Sequence, residues 1–369
     1  MHIVQLLPAL NEGGVERGTI ELNREFVRKG HRSTVISAGG GLVDKVIADG
    51  GIHCVLDVKS KNPLSALWRV ARLRKLLAEL QPSIVHYRSR VPGWLFTLAN
   101  RNLRLPFVST VHGFNSVSCY SRVMTLGERV ICPGCAVVDY VKQHYGVSDE
   151  RIRLIYRGID PQRFARQRLD QNFIKSFEDR YGLRDAFVVL AVGRVTRLKG
   201  YEVLIRAIAD ARVQLPNIKC VIVGGAENNP QGYLASLQSL ARELEIEDQV
   251  VFAGSQSKMA EIYACADVLT SNNPTKPEAF GRSMIEALAL DCPVVASRFG
   301  GALDIVDEGR NGFLYTPGDY HELAGLLVRV AATKFTGLRD DVFTRFGLDG
   351  MVDKTLAVYQ EVLQEHGSL

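Results

Sequence analysis

The chain has 369 residues, 46% of them hydrophobic and 23% charged, which is too long for one ordinary core and too apolar for disorder, so two folded domains are expected. The opening segment Met1-His2-Ile3-Val4-Gln5-Leu6-Leu7 lacks a basic run ahead of a long apolar one, and no stretch approaches the ~20 apolar residues that span a bilayer. The seven scattered cysteines (54, 119, 132, 135, 220, 265 and 292) fit a reducing compartment, and the expected location is the cytoplasm.

Charge is uneven: residues 1–165 hold 23 Lys and Arg against 13 Asp and Glu, and the remainder 22 against 27. The basic half is expected to meet something anionic. Without a zinc module, an aromatic-interleaved basic motif or a helix-turn-helix, nucleic acid is set aside, leaving a membrane surface or a phosphorylated acceptor.

In chain order, short apolar runs rich in β-branched residues fall at Ile3–Leu7, Ser33–Ser37, His53–Leu56, Ile84–His86, Phe107–Val111 and Arg129–Cys132, separated by longer amphipathic segments. That alternation predicts a parallel sheet with helices on both faces. Around Arg168–Tyr181 the pattern turns polar, predicting a linker near 165–180. Phe187–Gly193 restarts the rhythm, with strands to follow at Lys219–Val223, Val250–Ala253, Val268–Ser271, Pro293–Ala296 and Gly312–Tyr315. The fold class is α/β: two Rossmann-like domains, residues 1–170 and 171–345. In the tail 346–369, Met351, Leu356, Val358, Tyr359 and Val362 recur at helical spacing and predict one amphipathic helix.

Three loops carry chemistry. After the first strand, Gly13-Gly14 opens a helix, where free backbone N–H groups and the helix dipole favour an anion. At the start of the second domain, Gly193-Arg194-Val195-Thr196-Arg197-Leu198-Lys199-Gly200 puts two cations, Arg194 and Lys199, at a strand end, able to neutralise a diphosphate leaving group. Pro274–Gly281 reads as a loop running into a helix at Ser283–Leu290. Glu278 then precedes the first turn, the N–H groups of Ala279, Phe280 and Gly281 face a ligand, and Glu286 lies within the helix. Two such carboxylates can accept hydrogen bonds from two sugars of one extended donor.

Two further segments bear on the acceptor side. His86-Tyr87-Arg88-Ser89-Arg90 follows a strand, and Arg88 and Arg90 can bind phosphate or carboxylate, or form ordinary surface ion pairs. Leu64–Leu80 combines Trp68, Leu73, Leu76, Leu77 and Leu80 with Arg69, Arg72, Arg74 and Lys75. It reads as a basic amphipathic helix on an anionic leaflet or as a crossover helix with a solvated basic face. Cys132-Pro133-Gly134-Cys135 has no second pair for zinc.

The sequence resembles the retaining GT-B glycosyltransferases of family 4. Gly13-Gly14-Val15-Glu16, Val111-His112-Gly113, Arg157-Gly158-Ile159-Asp160, Gly193-Arg194 with Lys199-Gly200, Val223-Gly224-Gly225, Pro277–Gly281 with Glu286, and Asn311–Leu314 match in order over nearly the whole chain. The resemblance implies the GT-B architecture, with a cleft between the domains and the tail helix crossing back to the first. It implies that Arg194 and Lys199 hold the donor diphosphate, Glu278 the transferred sugar and Glu286 the ribose, with Gly13, Gly14 and Gly225 lining the donor site and His112 facing the donor sugar. It further implies retention through a short-lived oxocarbenium ion, with the leaving phosphate taking the acceptor's proton. The run His86–Arg90 is similar to members acting on lipopolysaccharide and other envelope glycans, which makes His86, Arg88 and Arg90 the acceptor candidates. Where members often have Asn-Gly-Ile/Val-Asp, this chain has Arg157.

The expected activity is transfer of a sugar from a UDP-, GDP- or ADP-sugar to a glycan or glycolipid, with no cofactor and, lacking an Asp-x-Asp motif at a strand end, no metal. The inner face of the cytoplasmic membrane is a candidate location. A nucleotide-sugar epimerase of GT-B build and a non-catalytic sugar-binding protein are the alternatives; an NAD enzyme is disfavoured because no Gly-x-Gly-x-x-Gly follows these strands. Base choice is expected to depend on Val223–Glu227 and Gly254–Ser257.

Overall fold

The computed structural model describes residues 1–11, 13–226 and 232–367. Glu12 and Glu227, on which two of the loop readings partly fall, and the last two residues of the expected tail helix lie outside them. The chain divides into two compact units, Met1–Gly158 with Leu348–Leu369, and Ile159–Gly347.

The first unit holds seven parallel strands: β1 His2–Leu6, β2 Arg32–Ser37, β3 Ile52–Val55, β4 Ile84–Tyr87, β5 Phe107–Thr110, β6 Arg129–Cys132 and β7 Ile152–Leu154, in the order β3-β2-β1-β4-β5-β6-β7. The central β1 pairs on both sides, Ile3 with Ser33 of β2 and with Ile84 of β4. Strands covered on both faces need near-continuous apolar sequence, and Ile3, Val4 and Leu6 are fully buried. The edge strand β7 has only Ile152-Arg153-Leu154 and carries no apolar signature, because Leu154 is exposed and Arg153 reaches sideways to Glu361.

The second unit holds six parallel strands: β8 Phe187–Val192, β9 Ile218–Val223, β10 Val250–Gly254, β11 Val268–Ser271, β12 Val294–Ser297 and β13 Gly312–Tyr315, in the order β10-β9-β8-β11-β12-β13. Two Rossmann-like sheets are thus present, as the alternation of apolar runs predicts. The polar stretch expected as a linker is instead largely the helix Gln171–Tyr181, which belongs to the second unit. Asp170 caps it by accepting from the backbone N–H groups of Asn172 and Phe173 at 3.0 and 3.1 Å. Its composition is polar because only Phe177 is buried. The division falls earlier, at Gly158, since the Ile159 N–H already donates to Phe346 O at 2.9 Å inside the second unit.

The tail forms helix Leu348–Glu365, which packs Leu348, Met351, Val352, Leu356, Val358, Tyr359 and Val362 against Ile3, Phe26, Ile84, Val108 and Ile131. Ion pairs from Arg28 to Asp349 and from Lys29 to Asp353 fix its start on helix Gly14–Arg28. It therefore supplies part of the first unit's core rather than a surface appendage. Leu356→Ala, which leaves a cavity in that core, is expected to lower stability by about 2–4 kcal/mol, measured by urea unfolding; a change within error would show that the helix is not integral.

Candidate active site

Open parallel sheets bind ligands beyond the carboxyl ends of the strands, where strand order reverses. In the second unit that switch lies between β8 and β11, and the loops leaving those strands carry Arg194–Lys199 and Asn272–Gly281. Gly200 has φ +60, and a Cβ there would lie 1.9 Å from the Asn272 carbonyl oxygen. Glycine thus allows both the left-handed turn and the contact between the two loops.

That contact places Lys199 Nζ against Glu278 Oε1 in a half-buried ion pair. Burial, and secondarily the neighbouring charge of Arg194, holds the Lys199 ammonium down to about 8. Arg194 itself is exposed. Glu278 lines a small pocket with Ser271, Asn273, Met284, Ser297 and Phe299. The Asn273 side-chain oxygen is buried there and, among the described residues, accepts no hydrogen bond, so the pocket offers an unused polar group beside the carboxylate.

Ala279, Phe280 and Gly281 precede the helix Arg282–Leu288, as the sequence predicts. The Glu278 carbonyl accepts the Gly301 N–H at 2.9 Å, pinning the loop to the one after β12, and buried Phe280 packs edge-on against Phe346 at 5.5 Å. Glu286 is buried. Its carboxylate accepts from the Tyr263 hydroxyl at 2.9 Å and from Arg282 Nε at 3.1 Å, so its bonding partners are these two donors rather than the pair at Lys199. Arg282 is legible from its four-residue separation on a helix; Tyr263 carries no such signal. Gly225 lies exposed after β9, its carbonyl accepting the Val195 N–H at 2.9 Å.

In the first unit the switch lies between β1 and β4. Gly13 and Gly14 begin helix Gly14–Arg28, and Arg157 extends over its first turn, donating to the Gly14 carbonyl at 3.2 Å. His86 and Arg88, expected at an acceptor, are both buried. The His86 ring nitrogens are taken up by Tyr359 Oη at 2.6 Å and Thr110 Oγ1 at 2.7 Å, while Arg88 Nε donates to Gln5 Oε1 at 3.1 Å. Burial pushes Arg88 down to about 10, and burial together with Arg88 and Arg157 keeps His86 neutral.

Both residues share a small pocket with Thr110, His112 and Arg157. His112 is held neutral by burial and the same two arginines, and among the described residues neither ring nitrogen has a hydrogen-bond partner. Arg90 is elsewhere: it lies 5.5 Å from the Tyr120 ring and donates to Ser121 Oγ at 3.3 Å. The structure thus gathers His86, Arg88 and His112, adds Arg157, and leaves Arg90 apart. Cys132 and Cys135 are free thiols, and among the described residues no group of three or more His, Cys, Asp or Glu side chains could hold a metal ion.

Tyr359→Phe removes one partner of a buried imidazole. It is expected to cost about 1–3 kcal/mol in urea unfolding, and an unchanged midpoint would show that water replaces the hydroxyl.

Comparison with known proteins bears on both units. The family model "Glycosyltransferase Family 4" matches residues 12–163, and "Glycosyl transferases group 1" matches residues 174–338. A D-inositol 3-phosphate glycosyltransferase of Catenulispora acidiphila is 29% identical over 311 residues, covering 76% of this chain and 72% of that protein. A crystal structure of a glycosyltransferase from Rickettsia africae is 27% identical with a TM-score of 0.89, covering 98% of each chain. HepE of Anabaena, solved with UDP-glucose, has the same fold at 24% identity, with a TM-score of 0.81 over 100% of both chains. With one model on each Rossmann-like unit and the switch-point loops carrying the motifs, the chain belongs to the GT-B glycosyltransferases of family 4.

Proposed function

We propose that the chain is a retaining glycosyltransferase that moves a hexose-type sugar from a nucleotide-diphosphate sugar to a glycan or glycolipid acceptor in bacterial lipopolysaccharide or other envelope-polysaccharide synthesis. The observation that carries the reading is the pairing of Lys199 with Glu278 at the strand-order reversal of the second unit, with Arg194 beside them. A diphosphate arriving there finds two cations. Lys199 turns from Glu278 to the phosphates, and the released carboxylate accepts hydrogen bonds from sugar hydroxyls.

Charge that builds on the leaving oxygen as the C1–O bond breaks is dispersed by Arg194 and Lys199, which already face the diphosphate once the donor is bound. The bonding electrons leave with the diphosphate. The acceptor oxygen bonds to C1 on the face just vacated, and its proton passes to the departing phosphate oxygen. This route uses no protein nucleophile, and the two side-chain cations take the part a metal would otherwise play.

Ala279, Phe280, Gly281, Gly13, Gly14 and Gly225 are assigned to the donor, and Glu286, held by Tyr263 and Arg282, to the ribose. Neutral His112 and the adjoining Arg88 and Arg157 are assigned to the sugar hydroxyls and the acceptor. The UDP-glucose bound to the Anabaena neighbour makes a UDP-sugar the first donor to test. The likeness of His86–Arg90 to envelope-glycan enzymes and the basic helix Ala66–Leu80 support a glycolipid acceptor reached from the inner face of the cytoplasmic membrane. No helix among the described residues is long and apolar enough to cross a membrane, so that contact is peripheral.

Lys199→Ala and Glu278→Ala are each expected to lower sugar transfer roughly 10²–10³-fold with an unchanged melting temperature; full activity in either would sink the site assignment. In the same assay, a chelator leaves the wild-type rate intact and NMR of the product shows the donor's anomeric configuration, whereas an epimerised nucleotide sugar without transfer would replace the reading.

A pH dependence follows from Lys199. Its ammonium, depressed to about 8, is charged below that pH and neutral above it, so UDP affinity holds steady at lower pH. Beyond about 8 it weakens by up to roughly tenfold per unit. Calorimetric titration giving a flat profile across that range would exclude Lys199 as a phosphate ligand.

A further inference from the structure

Helices Ala66–Leu80 and Arg90–Asn100 of the first unit flank an open pocket of about 250 Å³, whose exposed surface is mostly apolar, from Ala66, Val91, Trp94, Leu95 and Leu98, although Lys61 and Arg69 also line it. The pocket is built rather than incidental. The buried Arg69 guanidinium donates to the carbonyls of Ser60 and Asn62, each at 2.7 Å, and so fixes the loop that forms one wall. On the other side Trp94 Nε1 donates to the Tyr120 carbonyl at 2.9 Å, and the two rings stack at 6.4 Å. With the guanidinium and the indole both donating to backbone carbonyls, the surface they leave exposed in the pocket is mostly apolar.

The surroundings indicate what fills it. Leu64, Leu67 and Trp68, at the start of the first helix and beside the pocket's Pro63 and Ala66, are 91%, 80% and 56% exposed, and Val117 on the Tyr120 side is 56% exposed. From Val58 to Gly127 the sequence carries eleven Lys and Arg and a single acid, Glu79, and of the eleven only Arg69 and Arg88 are buried. Exposed leucines and a tryptophan set among cations match an anionic leaflet, where apolar side chains enter the acyl region and the charges meet headgroups. A soluble protein partner would be expected to meet a mixed-charge rim. The pocket opens within this patch and is below the roughly 300–1,000 Å³ usual for a drug-sized ligand, a size suited to one unbranched chain.

We infer that this pocket takes a single acyl chain of an anionic membrane phospholipid, anchoring the first unit to the leaflet from which a glycolipid acceptor would be drawn. The inference rests on the peripheral-membrane part of the functional reading and adds a specific lipid slot to it.

The chain's only tryptophans, Trp68 and Trp94, both lie in this region, which permits a direct readout. In the full chain carrying Trp68→Phe, Trp94 is the sole indole. Phosphatidylglycerol vesicles with brominated acyl chains are expected to quench its fluorescence relative to unbrominated vesicles. Adding Ala66→Phe, which puts a phenyl ring into the pocket, is expected to abolish the quenching while co-sedimentation with the vesicles persists. Vesicle binding without quenching of Trp94, or quenching unaffected by Ala66→Phe, would overturn the slot and leave the membrane reading standing. No vesicle binding would overturn both, and if Ala66→Phe then also dissociated a dimer in sedimentation velocity, the occupant would be a second copy of the chain. None of these measurements uses transfer activity, so they are independent of the catalytic assignment.

Discussion

A parallel strand covered by helices on both faces can carry polar chemistry only at its ends, because every residue between them faces a core. This constraint organises the protein. In each unit the strand order reverses once beside the central strand, and at that reversal two neighbouring loops diverge and leave room for a ligand. Lys199 and Glu278 meet there because β8 and β11 are neighbours in the sheet though 79 residues separate the two side chains. Gly13, His86, Arg88 and His112 gather at the corresponding end of the other sheet for the same reason.

The two ends treat charge differently. In the second unit a cation is matched by a carboxylate, a pairing that an incoming anion can exchange. In the first unit the buried Arg88 is matched by neutral partners, the Gln5 amide and the Tyr359 hydroxyl, so that positive potential is retained and both neighbouring histidines stay uncharged. Arg69 follows the same pattern, its guanidinium satisfied by carbonyl groups. A buried guanidinium held by neutral acceptors avoids the cost of an unsatisfied donor.

Much of this was legible in the sequence, and the parts that were not share a cause. Continuous apolar runs disclosed twelve strands because parallel sheets demand them; β7 was missed because an edge strand need not be apolar. The run 165–180 reads as a linker when polarity is the guide, yet a helix resting on one phenylalanine has little else to show. Glu278 was placed correctly ahead of its helix by its flanking residues. That it would pair with Lys199 depends on strand order, and that Tyr359 would bond to His86 depends on 273 residues of intervening chain; spacing carries neither fact. Burial is equally hidden: Arg88 and Arg90 look alike in a row of letters, but the first is buried directly after β4 and the second begins the next helix.

The tail helix has a consequence for how the molecule is made. Because Leu348–Glu365 completes the core of a unit whose strands end at Leu154, the second unit is an insertion within the first. During synthesis the later-starting unit has its whole contiguous sequence, Ile159–Gly347, before the earlier one has its last helix. Domains generally fold as their chain emerges, the amino-terminal one first; here the second unit is the first to have its full sequence. The amino-terminal sheet keeps Ile3, Phe26 and Ile84 uncovered on that face until Leu348–Glu365 has been made.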